Sequence, residues 1–145
     1  MFIFDTDAIT HDQNAHPVLR AKVNSTPRAQ LFTTSVTVEE QLRGRLAYIS
    51  KYRHVPAKAA QGHVALIQMI SYFSKWNILA FHEAADTMFR QLRAQRIRIG
   101  SQDLRIAAIA LLSGFTVVTR NVRDFSQVLG LNVEDWTAVS QEPLA

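Results

Sequence analysis

The sequence predicts an α/β domain whose short, mostly parallel sheet carries helices on both faces. Two observations lead there. Short apolar or β-branched runs (Met1–Phe4, Leu31–Thr34, Asn77–Phe81 and Phe115–Thr119) recur along the chain. Longer stretches with apolar residues at helical spacing separate them. Alternation of this kind favours parallel strands joined by helical crossovers.

The first run, Met1–Phe4, ends abruptly at Asp5 and reads as a buried strand, after which Asp7 is placed to cap a short helix. Leu31–Thr34 is a second strand. A helix is expected from Thr37 to about Lys51, with Val38, Leu42, Leu46 and Ile49 on one face. Pro56 suits a helix start, and the segment to about Lys75 carries Val64, Ile67, Met69, Ile70 and Phe73 at helical spacing. Asn77–Phe81 is a third strand, and His82–Arg96 a helix with Ala85, Met88, Phe89 and Leu92 inward. Ser101 is a natural N-cap for a helix whose body, LRIAAIALLS, is apolar nearly all round and so buried, and Gly114 closes it. Phe115–Thr119 follows as a strand, Asn121 starts a short helix, and Val133–Trp136 reads as an edge strand. The tail from Thr137 to Ala145 is expected to be loose.

A chain of 145 residues with 48% hydrophobic and 19% charged residues supports a single domain, 1–145, with a real core. No internal repeat or low-complexity segment divides it. The absence of cysteine excludes disulfides, thiolate metal sites and a cysteine nucleophile, and fits a reducing cytoplasm. The start, MFIFDTD, has no basic region followed by a long apolar stretch, and no run approaches the roughly 18 apolar residues of a membrane span. A cytoplasmic protein with no membrane partner is expected. The net charge of +4, much of it arginine, is compatible with a nucleic-acid partner and equally with solvated helix faces.

Ligands in open α/β sheets bind beyond the carboxyl ends of the strands. Asp5, Glu40, Asp103 and Asp124 all fall on that edge, with Asp7 and Glu39 close in sequence. Each acid alone is explained by helix capping or by the helix dipole: Thr37 to Glu40 has the spacing of a capping box, and Asn121 to Asp124 that of a cap pair. Their convergence is what capping leaves unexplained. Carboxylates gathered in one cleft repel one another unless a cation neutralises them. Hard oxygen ligands suit Mg²⁺, or Mn²⁺ in its place, and such ions activate water against phosphodiesters. The five histidines are scattered without metal-ligand spacing and are given no role. The aromatic series Phe73, Trp76 and Tyr72, with Met69, is read as core or dimer surface, and Arg90, Arg93 and Arg96 as a solvated face.

Four stretches, in order, resemble the motifs of PIN-domain ribonucleases, and within them the VapC-like toxins of type II toxin–antitoxin systems. They are FDTD (Phe4–Asp7), TVEEQLRG (Thr37–Gly44), SQDLRIAAIAL (Ser101–Leu111) and VVTRNVRDF (Val117–Phe125). Glu40, four before Gly44, is taken over Glu39, which stays the alternative second acid. Asp7 departs from the pattern, where Asn is frequent, and so does Gln41, inserted between Glu40 and Leu42. The resemblance implies a three-layer α/β/α sandwich with Mg²⁺ or Mn²⁺ held by Asp5, Glu40, Asp103 and sometimes Asp124. It implies an endoribonuclease that cleaves RNA, a small VapB-like antitoxin that occupies the groove, and in many members a homodimer. Thr6, Asn121 and Arg120 are the expected substrate-binding residues. The competing readings are a catalytically silent RNA- or partner-binding module, a phospho-acceptor signalling domain and a structure-specific DNA nuclease. The signalling reading lacks an acid ending Asn77–Phe81 and a lysine after Thr119, and for the DNA nuclease the chain is short.

Overall fold

The computed structural model describes residues 1–139. The chain runs β1 (Phe2–Phe4), α1 (Thr6–Gln13), α2 (Pro17–Asn24), a 3₁₀ turn, β2 (Leu31–Thr34), α3 (Ser35–Lys51) and α4 (Pro56–Phe73). It continues through β3 (Asn77–Leu79), α5 (Glu83–Ala94), α6 (Ser101–Ser113), β4 (Thr116–Val118), α7 (Val122–Phe125) and β5 (Val133–Glu134). The five strands pair in the order β3-β2-β1-β4-β5, every pair parallel. Ile3 lies opposite both Phe32 and Val117.

Side chains alternate across a strand, and the core divides accordingly. Ile3 and Val117 point into a cluster with Ala85, Phe89, Leu92 and the apolar residues of α6. Their neighbours Phe4 and Val118 point into the opposite cluster, with Ala8, Ile9, Leu19, Met69, Phe73, Trp76 and Trp136. Helices therefore cover both faces, and the fold is the predicted three-layer α/β/α sandwich. Because β1 is central, with β2 to one side and β4 to the other, the chain changes direction across the sheet at β1 and β4. That switch point brings the residues after Phe4 next to those after Val118.

Several boundaries differ from expectation. Asp5, not Asp7, caps α1; its Oδ1 accepts the Ala8 N–H at 2.8 Å. Helix α3 begins at Ser35 with Thr34 as cap, so the Thr37–Glu40 capping box does not form. Helix α6 starts at Ser101 with Gly100 before it and no side-chain cap. Gly114 closes α6 as expected, with φ at 68°. Helix α2 was not anticipated: Pro17 sits at its first turn, and His16 caps it by accepting the Leu19 N–H. Strands β3 and β4 are shorter than their apolar runs. The expected Val133–Trp136 strand stops at Glu134, and Trp136 turns inward, 2% exposed. Thr137 is not loose; both its N–H and its hydroxyl donate to Asp135 Oδ1. The rest of the expected tail, 140–145, lies outside the described residues.

The apolar series at helical spacing on α3 and α4 is also only partly buried. Met69 and Phe73 are inside, but Leu42, Leu46, Val64, Ile67 and Ile70 are exposed, Ile67 at 68%. Among the described residues no helix is long and apolar enough to cross a membrane.

Candidate active site

Asp5 is the deepest residue of the candidate site. It follows β1, and both its oxygens are engaged. Oδ1 caps α1, and Oδ2 accepts the Thr119 hydroxyl at 2.6 Å. Thr119 in turn accepts the Asn121 N–H at 2.9 Å, so the turn after β4 holds the carboxylate that ends β1. Burial pushes the Asp5 carboxyl up from 3.8 to about 7. The bonds from Thr119 and Ala8 counter that rise, and the charges of Asp103 and Asp7 add to it.

Two further carboxyls share the rise. Glu40, one turn into α3, is raised by burial and then by the charge of Asp103. Its Oε1 is sealed from solvent without a hydrogen-bond partner. Asp103, in the first turn of α6, is raised by burial and then by Asp124 and Asp7. Asp124 accepts from Asn121 Nδ2 at 2.8 Å. Glu39 points away from this group and pairs with Arg43 on the exposed side of α3.

Asp5, Thr6, Asp7, Thr10, Glu40, Asp103, Arg120 and Asn121 line one cleft of about 700 Å³. Residues 5 and 103, almost a hundred positions apart in the chain, thus face the same space. Of the seven residues the sequence singled out, six line the cleft, and Asp124 stands at its margin behind Asn121. Thr119 and Thr10 are additions to that set, and Asp7, placed near the acids by the sequence, joins them in the cleft. Thr119 positions Asp5, and its signal was present as the leading residue of the Thr-Arg-Asn motif. Asp7, in the first turn of α1, and Thr10, one turn on, both lie on its exposed side. His11 was given no role. Its Nε2 lies 3.0 Å from Arg120 Nη1, a contact in which the guanidinium can only donate. The same nitrogen lies 3.5 Å from Asp7 Oδ1.

The donor set is carboxylate and hydroxyl oxygen, which fits a hard divalent cation such as Mg²⁺. The unpartnered Glu40 Oε1 and the mutually raised acids are what such an ion relieves. Among the described residues no three acid or histidine side chains are drawn into a ready-made ion cage.

The architecture is that of a PIN-type domain. No family model matches the chain. Over 141 residues it is 30% identical to the tRNA(fMet)-specific endonuclease VapC of Shigella flexneri, covering 94% of this chain and 98% of that protein. It is 24% identical over 139 residues to ribonuclease VapC2 of Haemophilus influenzae, covering 93% and 97%. Among solved structures it resembles DNA-bound VapBC from Salmonella typhimurium, with a TM-score of 0.73 at 25% identity over 93% of this chain and 97% of that one. FitAcB from Neisseria gonorrhoeae shares the fold, with a TM-score of 0.76 at 23% identity over 96% and 100%. The chain belongs to the VapC family.

Proposed function

We propose that this chain is a Mg²⁺-dependent endoribonuclease, with Mn²⁺ able to substitute, and that it is the toxin of a VapBC-type pair. The observation that carries the reading is the single cleft at the sheet's switch point, where Asp5, Glu40 and Asp103 converge beneath Arg120. The nuclease activities of its relatives support it, and the tRNA(fMet)-specific endonuclease of Shigella flexneri makes tRNA the first substrate to try.

Asp5, Asp103 and Glu40 would hold the ion, with Asp124 helping through its place beside Asp103. When bound, the ion supplies a water of lowered pKa and neutralises charge on the phosphodiester. The chain's own side chains do the positioning. Thr119 fixes the Asp5 carboxylate in one orientation. Arg120, held against His11, keeps its remaining N–H groups for a phosphate oxygen at the rim. Thr6 and Asn121 offer hydrogen bonds along the wall. Asp5, its carboxyl raised to about 7, would have to be ionised to hold a cation, so cation affinity is expected to rise with pH.

The partner proposed is a small VapB-like antitoxin, as in the solved VapBC complexes. The exposed apolar residues of α3 and α4 are the surface we assign to it. A homodimer belongs to the same proposal, and sedimentation of the toxin alone and with antitoxin measures it. The activity test is cleavage of labelled tRNA and of unstructured RNA in Mg²⁺, Mn²⁺ and excess EDTA. Cleavage is expected only with the ions. Asp103→Asn is expected to lose at least about a hundredfold in rate with an unchanged circular dichroism spectrum. Undiminished cleavage in EDTA would overturn the metal reading.

A further inference from the structure

Helices α1, α3 and α4 enclose a second cavity, of about 320 Å³, lined by Gln13, Asn14, Arg45, Gln68 and Tyr72 among others. Arg45 also borders the adjoining hollow beside Gly62. Its charge is unanswered: no ion pair among the described residues includes Arg45. The residue one turn before it on α3 is the neutral Gln41, and the exposed acid of that helix, Glu39, is taken by Arg43. One of its N–H groups, Nε, is buried without an acceptor. The guanidinium is half-buried, and its sealed Nε–H has no acceptor in the protein to offset the loss of water.

The cavity lies further along the same two helices, α1 and α3, that wall the acid cleft. Thr10 lines the cleft and Gln13, three residues on, lines the cavity; Glu40 lines the cleft and Arg45, five residues on, lines the cavity. At 1.5 Å per residue the step along either helix is roughly 5–8 Å, on the order of one nucleotide of extended strand. The floor between them is the reciprocal amide pair of Gln13 and Gln41, each Nε2 donating to the other's Oε1 at 2.8 and 2.9 Å. Gln13 keeps one N–H for a ligand, while the second N–H of Gln41 reaches Thr10 Oγ1 at 3.5 Å.

We propose that Arg45 and this cavity form an anion subsite that takes the phosphate of the RNA strand next to the one in the acid cleft. The inference rests on the RNA reading above and assigns the strand's path along the groove between α1 and α3. Phosphate is favoured over a protein carboxylate because the occupant must continue into a cleft of carboxylates, which a phosphodiester enters with a bound cation and an acidic peptide does not.

The test measures binding of a labelled single-stranded oligouridylate to Asp103→Asn protein, with and without Arg45→Gln, as a function of salt. Removing one phosphate contact from a single strand lowers the slope of log affinity against log salt by about 0.7. Arg45→Gln is expected to lower the slope by that amount and to weaken binding roughly tenfold or more. Arg45→Lys, which keeps the charge, restores the slope. A uridine dinucleotide, whose single phosphate fills the cleft alone, binds equally to both proteins. An unchanged slope with intact RNA binding overturns this inference and leaves the nuclease reading standing. No RNA binding by the parent protein overturns both. Arg45-dependent binding of an oligoglutamate peptide with an unchanged RNA slope reassigns the cavity to a protein carboxylate.

Discussion

Asp5 combines two tasks that usually fall to different residues: it caps a helix and it forms the floor of an acid cleft. Capping explains how a carboxylate that is 2% exposed is tolerated, since both oxygens receive hydrogen bonds. It does not remove the cost of ionising there, and the pH dependence follows. The native carboxyl is raised from 3.8 to about 7, so between those values the native state binds more protons than the unfolded chain. Its stabilising contribution is complete below pH about 4 and is lost as pH rises through about 7. Asp5→Asn keeps a side chain that can cap α1 and removes the titration. In EDTA, the melting temperature of Asp5→Asn is therefore expected to exceed that of the parent near pH 8, with the gap closing toward pH 4. Differential scanning fluorimetry across that range checks it, and parallel curves would show that Asp5 does not titrate as described.

Elements were legible where one periodicity dominates, and less so where polar signals repeat. The all-apolar body of α6 and the strands flanking Asp5 stand out because burial on every side leaves no polar residue to confuse the reading. Caps slipped because capping residues come in series: Asp5 and Asp7, Thr34 and Thr37, Gly100 and Ser101 each offer two starts, and tertiary fit chose the earlier. Helix α2 escaped because only Leu19 and Val23 of its eight residues are buried, too few to make a stripe. Helices α3 and α4 show the opposite error. Their apolar residues do lie at helical spacing, yet periodicity does not say what covers the face. Here Leu42, Leu46, Val64, Ile67 and Ile70 meet solvent. If that face receives the antitoxin, Ile67→Asp combined with Ile70→Asp should abolish its co-purification with co-expressed antitoxin. The melting temperature should change little, since exposed sites typically shift stability by about 0.5 kcal/mol or less. Retained co-purification would move the docking surface elsewhere.

For the whole molecule, the sheet order does what no local pattern can. Asp5, Glu40, Asp103 and Asp124 come from the ends of β1, the start of α3, the start of α6 and α7, and only the switch between β1 and β4 makes them neighbours. The sequence supplied the acids and their order through motif resemblance. Thr119, His11 and the Arg45 cavity needed the fold, because each acts on a residue distant in the chain. The same geometry makes the cleft a place where four elements repel one another through their carboxylates, most strongly at high pH. A divalent cation that binds the folded cleft and not the unfolded chain must then stabilise the entire domain by mass action, about 2.7 kcal/mol at a hundred times its dissociation constant. For a domain of this length that corresponds to a rise in melting temperature on the order of 10 °C. The rise should be larger near pH 8 than near pH 5, because protons on Asp5, Glu40 and Asp103 compete with the cation, and it should shrink in Asp103→Asn. Melting curves with and without Mg²⁺ at both pH values read this without any substrate. A Mg²⁺ shift equal in the parent and in Asp103→Asn would place the ion outside the cleft, whatever the RNA assays show.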